Sequence, residues 1–244
     1  MIQEVVGTRI GPYFIPSFAG VAFSRNEFRW SPRIKREDGL LRMVPGLGTR
    51  AVDRVADDYP VLLAPGNPNL RVNTSPEEVA RYSSKRIDVI NLEKNSFETL
   101  HIHDFLARYG TEIPGIQNII SVYQDDTLHA PTSLLGIDFE RHNLVVTCQG
   151  LVERTPFIRQ IRTILTKLEE TIGTPVDIEF AHDGKDLYLL QCRPQSSQKD
   201  IAPSPIPQDI PEKSIVFSGN RHVSNGVVPE ITHVVYIDGR TYNA

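Results

Sequence analysis

Two neighbouring segments, Val176–Ala181 and Leu187–Arg193, gather the residues best suited to chemistry. In the first, Asp177 and Glu179 alternate with Val176, Ile178 and Phe180. A strand with that pattern is apolar on one face and carries carboxylates on the other. The turn signal Asp183-Gly184 then leads into the second segment. A two-residue loop would set Glu179 opposite Tyr188 and mix polar with apolar side chains on both faces. A three-residue loop centred on Lys185, with a bulge, sets Glu179 opposite Gln191 and Asp177 opposite Arg193. It also sets Ile178 opposite Cys192 and Phe180 opposite Leu190. Only the second register keeps one face apolar, and burial selects it because a one-residue slip turns every side chain over. Its polar face then holds Asp177, Glu179, Gln191 and Arg193. Hard divalent cations such as Mg²⁺ take oxygen ligands, often one or two carboxylates together with substrate phosphates. Glu179 and the Gln191 carbonyl suit that role, and the rigid fork of Arg193 suits a phosphate. The same pattern also fits a solvated strand face with an Asp177–Arg193 ion pair across the strands.

Other candidate groups are weaker. Gly46-Leu47-Gly48 lacks the Lys-Ser/Thr of a P-loop and the third glycine of a dinucleotide loop, so by itself it reads as a turn. His101, His103 and Asp104 are close in sequence, but no further ligand accompanies them, and they read as a solvated helix start. His129, His142 and His182 have no partner pattern. Asp125-Asp126 reads as a turn and Glu153-Arg154 as a solvated pair. The two cysteines, Cys148 and Cys192, sit among apolar residues and read as buried free thiols.

The elements that must position these groups are short and mixed. The clearest helix is expected over Thr155–Ile172, with Thr155 as N-cap, Pro156 at the first position and Gly173 at the end. Phe157, Ile158, Ile161, Ile164, Leu165, Leu168 and Ile172 form its apolar stripe. Shorter helices are expected at His103–Tyr109, ended by Gly110, and after Ser75-Pro76. Strands are expected at Gly20–Ser24, Gln117–Tyr123, Asn143–Cys148, Val176–Ala181 and Leu187–Cys192. This mixture predicts an α+β fold. Ser196–Pro211, with four prolines, reads as a linker. It separates a body, residues 1–196, from a tail, residues 213–244, whose Lys213–Gly219 and His233–Asp238 alternate like strands.

Charge and hydropathy exclude several classes. Lys and Arg number 26 against 30 Asp and Glu, a net charge of −4, which argues against a nucleic-acid binder. No apolar run approaches a membrane span, and Met1–Val6 is not a signal peptide. With so few cysteines, the expected compartment is the cytoplasm.

The hairpin resembles the end of the nucleotide-binding domain in the phosphoenolpyruvate synthase and pyruvate phosphate dikinase family. Asp177-Ile178-Glu179-Phe180, Asp183-Gly184-Lys185 and Leu187-Tyr188-Leu189-Leu190-Gln191-Cys192-Arg193-Pro194 follow its D-I-E-W/F, D-G-K and L-Y-I-L-Q-x-R-P pattern in order and spacing. Gly20-Val21-Ala22-Phe23-Ser24-Arg25 is similar to its S-G-V-x-F-T/S-R segment. Gly46-Leu47-Gly48, followed by Ala51-Val52-Asp53, is similar to its G-L-G-E-x-V-V segment, and Met1–Val6 to the strand before them. The tail from Lys213 is similar to the opening of the family's swivelling phosphohistidine domain.

The resemblance implies a partial ATP-grasp nucleotide-binding domain, a mixed and antiparallel sheet with flanking helices, and a short β tail. It implies ATP and Mg²⁺ as ligands. Glu179 and Gln191 would hold the metal and phosphates, Arg193 would act on the terminal phosphates, and Gly46 and Gly48 would lie near the nucleotide. ATP would phosphorylate a histidine on a mobile domain, which passes the group to pyruvate. Three features depart from the family. Its K-G-x-N-L and R-S-S-A-x-E-D segments are absent here and would lie before Met1. The G-G-x-x-S/T-H-A signature of the mobile domain is absent too. Thr49 stands where the family has Glu. The expected partners are therefore ATP, a missing N-terminal lobe and a phosphohistidine domain, and the chain alone is expected to be inactive. The apolar face left by the absent lobe predicts a homodimer. Two alternatives are a non-catalytic regulatory or interaction module that keeps the lobe, and another ATP-grasp ligase. The Gln191-x-Arg193-Pro194 ending argues against the ligase.

Overall fold

A computed structural model of the chain describes residues 3–52, 58–195, 209–215, 223–224, 230–233 and 235. Its centre is an antiparallel five-stranded sheet. The strands, in spatial order, are β13 (Leu187–Pro194), β12 (Val176–His182), β3 (Phe18–Phe23), β5 (Leu40–Pro45) and β6 (Val61–Leu63). A second sheet has the order β1 (Thr8–Ile10), β2 (Tyr13–Ile15), β7 (Arg86–Asn91), β8 (Ser96–His101). A third has β10 (Thr127–His129), β9 (Ile120–Gln124) and β11 (Asn143–Val146). A two-stranded ladder joins β4 (Phe28–Arg29) to β14 (Val223–Ser224). Among the described residues five α-helices accompany them: α1 (Thr49–Val52), α2 (Pro76–Arg81), α3 (Ile102–Tyr109), α4 (Gln149–Glu153) and α5 (Phe157–Ile172).

The register divides the central sheet into two faces, because antiparallel partners point the same way. One face carries Ile178, Ala22 and Leu41 in one row, and Phe180, Gly20 and Met43 in the next. Helix α5 covers this face. Phe157 meets Phe18 edge-on at 5.0 Å and Phe180 at 5.7 Å, and Ile161 and Leu165 are buried below them. Gly20 is required here: a Cβ would stand 2.0 Å from the Arg42 carbonyl oxygen and 3.0 Å from the Phe180 ring. The main core lies between this face, α5, α3 and the other two sheets.

Local chemistry explains the helix ends. Ser75 Oγ accepts the Glu78 N–H at 3.1 Å, as the Ser-Pro-Glu-Glu pattern predicts. Gly173 ends α5 in the left-handed region, φ 79°, and donates its N–H to the Glu169 carbonyl at 2.8 Å. The start of α5 differs from expectation. The helix begins at Phe157, with Pro156 in the cap position. Thr155 Oγ1 donates back to the Leu151 carbonyl and accepts the Phe157 N–H, so it joins α4 to α5 as well as capping.

Several strands went unrecognised in the sequence. The β7–β8 hairpin closes through Asn91 Oδ1, which accepts the N–H groups of Glu93 and Lys94, with Asn95 at φ 50°. Strand β5 is buried on both faces and shows no alternation. The expected strand at Lys213–Gly219 is corrected where it is described: Glu212–Ser214 form a 3-10 turn. Residues 196–208 of the linker lie outside the described residues. So does most of His233–Asp238, whose described residues 233 and 235 carry no strand.

Candidate functional site

The second face of the central sheet carries the site. Its middle row runs Gln191, Glu179, Val21, Arg42, Leu62 across the five strands. The row on one side runs Arg193, Asp177, Phe23, Leu40, and the row on the other Tyr188, Ala181, Ala19, Val44. Glu179 and Gln191 are therefore directly opposed on one face, as the pattern predicts, and Asp177 is opposed to Arg193. The turn is not as expected. Phe180 pairs with Leu189, and His182 with Leu187, so the tip is a two-residue loop at Gly184-Lys185. The bulge lies inside the hairpin, at Leu190, and it brings Gln191 back into line with Glu179. Asp183 holds the tip: its Oδ1 accepts the Lys185 and Asp186 N–H groups, and its Oδ2 the Tyr188 hydroxyl. The Leu190 carbonyl accepts the Gln3 amide at 3.4 Å, which ties the N-terminal segment to the bulge.

The electrostatics differ between the two pairs. Arg193 Nε donates to both Asp177 oxygens, at 2.7 and 3.0 Å. That bond, and the Asp177 charge, raise the Arg193 pKa and hold it a cation. Asp177 is nearly buried, while the Arg193 side chain is 59 % exposed. The two Nη groups thus remain available outward, and the ion pair and a phosphate contact are compatible. Glu179 and Gln191 have no side-chain partner among the described residues. One carboxylate and one amide oxygen, free and adjacent, fit a Mg²⁺ that keeps waters and phosphate oxygens as its other ligands.

The Gly46–Gly48 loop lies over the same face. A Cβ on Gly48 would stand 3.4 Å from the Ala19 Cβ, one row from Glu179. Gly46, at φ 70°, is tied by packing: a Cβ there would meet the Asp88 carbonyl at 2.7 Å. The Leu47 N–H donates to that carbonyl. Thr49 donates from Oγ1 to Asp88 Oδ2 at 2.5 Å, and Thr99 to Asp88 Oδ1 at 2.7 Å. Arg50 is ion-paired with Asp58 and reaches Asp88 at 3.4 Å. The residue that departs from the family thus anchors the loop to β7.

Sequence reading missed Arg42. It stands in the Glu179 row, and its guanidinium lies 5.9 Å from the Phe23 ring centre. A lone charge inside Leu40–Pro45 was the available signal. The histidines form no cluster: among the described residues no three His, Cys, Asp or Glu side chains are arranged to hold a metal. His129 bonds to Thr127, His142 accepts the Asp138 N–H, and His182 stacks on Phe18 at 4.8 Å. Both cysteines are free thiols.

An α+β lobe with several antiparallel sheets and a group of polar side chains at the β12–β13 edge of its central one has the architecture of a partial ATP-grasp-type nucleotide-binding domain. Residues 1–214 match the family described as pyruvate phosphate dikinase, AMP/ATP-binding domain, and the chain belongs to that family. No curated protein matches it. No helix among the described residues is long and apolar enough to cross a membrane.

Proposed function

We propose that this lobe forms one wall of the Mg–ATP site of a phosphoenolpyruvate synthase-like phosphotransferase. Glu179 and Gln191 would hold the metal, Arg193 would contact the terminal phosphates, and Gly46 and Gly48 would bring the loop close to the nucleotide. The metal, when bound, neutralises phosphate charge; the chain's own groups orient the phosphates. Phosphoryl transfer depends mainly on such positioning and charge neutralisation. The phosphoryl group then passes to a histidine of a mobile domain and on to pyruvate. A second lobe supplies further phosphate contacts, and the chain alone turns nothing over. The reading places the protein in the cytoplasm. The observation that carries it is the opposed Glu179–Gln191 pair, without a side-chain partner among the described residues, beside an arginine held by Asp177.

Calorimetry of Mg–ATP with the full chain tests this. Binding that weakens at least tenfold in Glu179→Ala and in Arg193→Ala is expected. Binding unchanged in both sinks the assignment. A non-catalytic module is the second reading, favoured by Thr49, whose hydroxyl is committed to Asp88. The same experiment separates the two: no detectable Mg–ATP binding by the full chain supports the module.

A further inference from the structure

A cleft of about 910 Å³ opens at the edge of the central sheet farthest from β13, between β6, α2 and the β9–β11 sheet. Three strand spacings of ~4.8 Å separate β6 from β12, which puts the cleft roughly 14 Å from the strand that carries Glu179. Its size is that of a small-molecule site. Val72, Val79 and Val146 supply an apolar wall, and the Tyr59 and Tyr82 rings, edge to face at 5.3 Å, also line it.

Arg71 is the unusual group in this cleft. Nη2 makes both of its hydrogen bonds, to Gln149 Oε1 at 2.6 Å and to the Thr147 carbonyl at 3.4 Å. Nε and Nη1 have no protein acceptor, and no carboxylate lies in ion-pair distance among the described residues. Burial lowers the pKa of this guanidinium. The Cys148 thiol is fully buried and pushed up to about 12, so it offers no negative charge at neutral pH. Two carboxylates line the cleft; both are exposed, neither lies in ion-pair distance of Arg71, and the Glu153 charge only partly offsets the effect of burial on that guanidinium. Glu78 accepts the Thr74 N–H and Glu153 the Gln149 amide. A partly desolvated cation with three idle N–H groups beside an apolar wall calls for an anion that brings its own apolar surface. The acidic rim disfavours a second negative charge.

We propose that this cleft binds an organic monocarboxylate with an apolar or aromatic body, its carboxylate on Arg71 and its body between the valines and the tyrosine pair. The site is independent of the nucleotide reading.

The test is a titration of the full chain with 2-naphthoate, 2-naphthalenemethanol and inorganic phosphate, followed by methyl NMR. The acid is expected to bind at least tenfold tighter than the alcohol and to shift the Val72, Val79 and Val146 methyls. Arg71→Gln is expected to reduce the acid to the affinity of the alcohol. Equal binding of acid and alcohol to the native chain would overturn the proposal, as would shifts confined to other residues. Displacement of naphthoate by an equal concentration of phosphate would also overturn it, since that marks a bare anion site. Should Arg71→Gln not fold, the acid–alcohol comparison on the native chain decides, and Tyr82→Ala at the partly exposed ring should weaken both probes several-fold.

Discussion

Arginine carries five N–H donors in a fixed fork, and Arg193 commits only Nε to Asp177. The pair therefore orients the fork and leaves four donors for phosphate. Arg193→Lys keeps the charge but loses the fork. If the fork matters, this variant weakens Mg–ATP binding while unfolding at nearly the same urea concentration. Asp177→Asn should also weaken binding by releasing Arg193, with less effect than Glu179→Ala; calorimetry ranks the three. His182 gives a prediction about pH. Its ring is stacked on Phe18, and Nδ1 accepts the Gly184 N–H at 3.0 Å. Burial lowers its pKa, and Asp183 and Asp186 only partly offset this. The unfolded chain then takes up a proton near pH 6.5 that the folded chain resists. The stabilisation is complete above about pH 6.5 and is lost as pH falls toward the lower folded value. His182→Phe should flatten urea stability across that window.

The hairpin shows what element-scale patterning can and cannot reveal. The polar and apolar pattern of the two strands was sufficient to pair Glu179 with Gln191, because the other register sets Glu179 opposite Tyr188 and mixes polar with apolar side chains on both faces. It did not locate the bulge, since either position satisfies the faces. Backbone geometry at Gly184, φ 97°, selects the tight tip. Helix α5 was legible because its stripe is long and Gly173 marks its end, while its first turn moved by the extra bond from Thr155 to Leu151. Ile161 is fully buried against the central sheet. Ile161→Ala should cost about 3 kcal/mol in urea unfolding. Ser75→Ala, which removes a cap at an exposed helix, should cost about 1 kcal/mol.

At the scale of the molecule, Asp88 joins two sheets. It is buried in β7 and bonded by Thr49, Thr99 and Arg50, and so fastens the loop after β5 to the neighbouring sheet. Asp88→Ala leaves Arg50 short of a partner and should cost about 3 kcal/mol in urea unfolding. It should also weaken Mg–ATP binding if the loop lies against nucleotide. We propose a homodimer through the apolar face of the lobe that a second lobe would otherwise cover. Light scattering should give twice the 27.4 kDa chain mass, and a monomer removes that proposal.

The sequence by itself determined the α+β class, the long helix and the two-faced hairpin. Each follows from a local period that burial makes costly to violate. Motif spacing alone carried the family likeness that the match over residues 1–214 bears out. Only the tertiary structure decided which residues share the site. Arg42 joins Glu179 through a third strand, Gly48 reaches it across Ala19, and Thr49 meets Asp88 from 39 residues away. Such contacts depend on strand order and sheet packing, which local patterns do not encode. The Arg71 cleft arises in the same way, between elements distant in the chain.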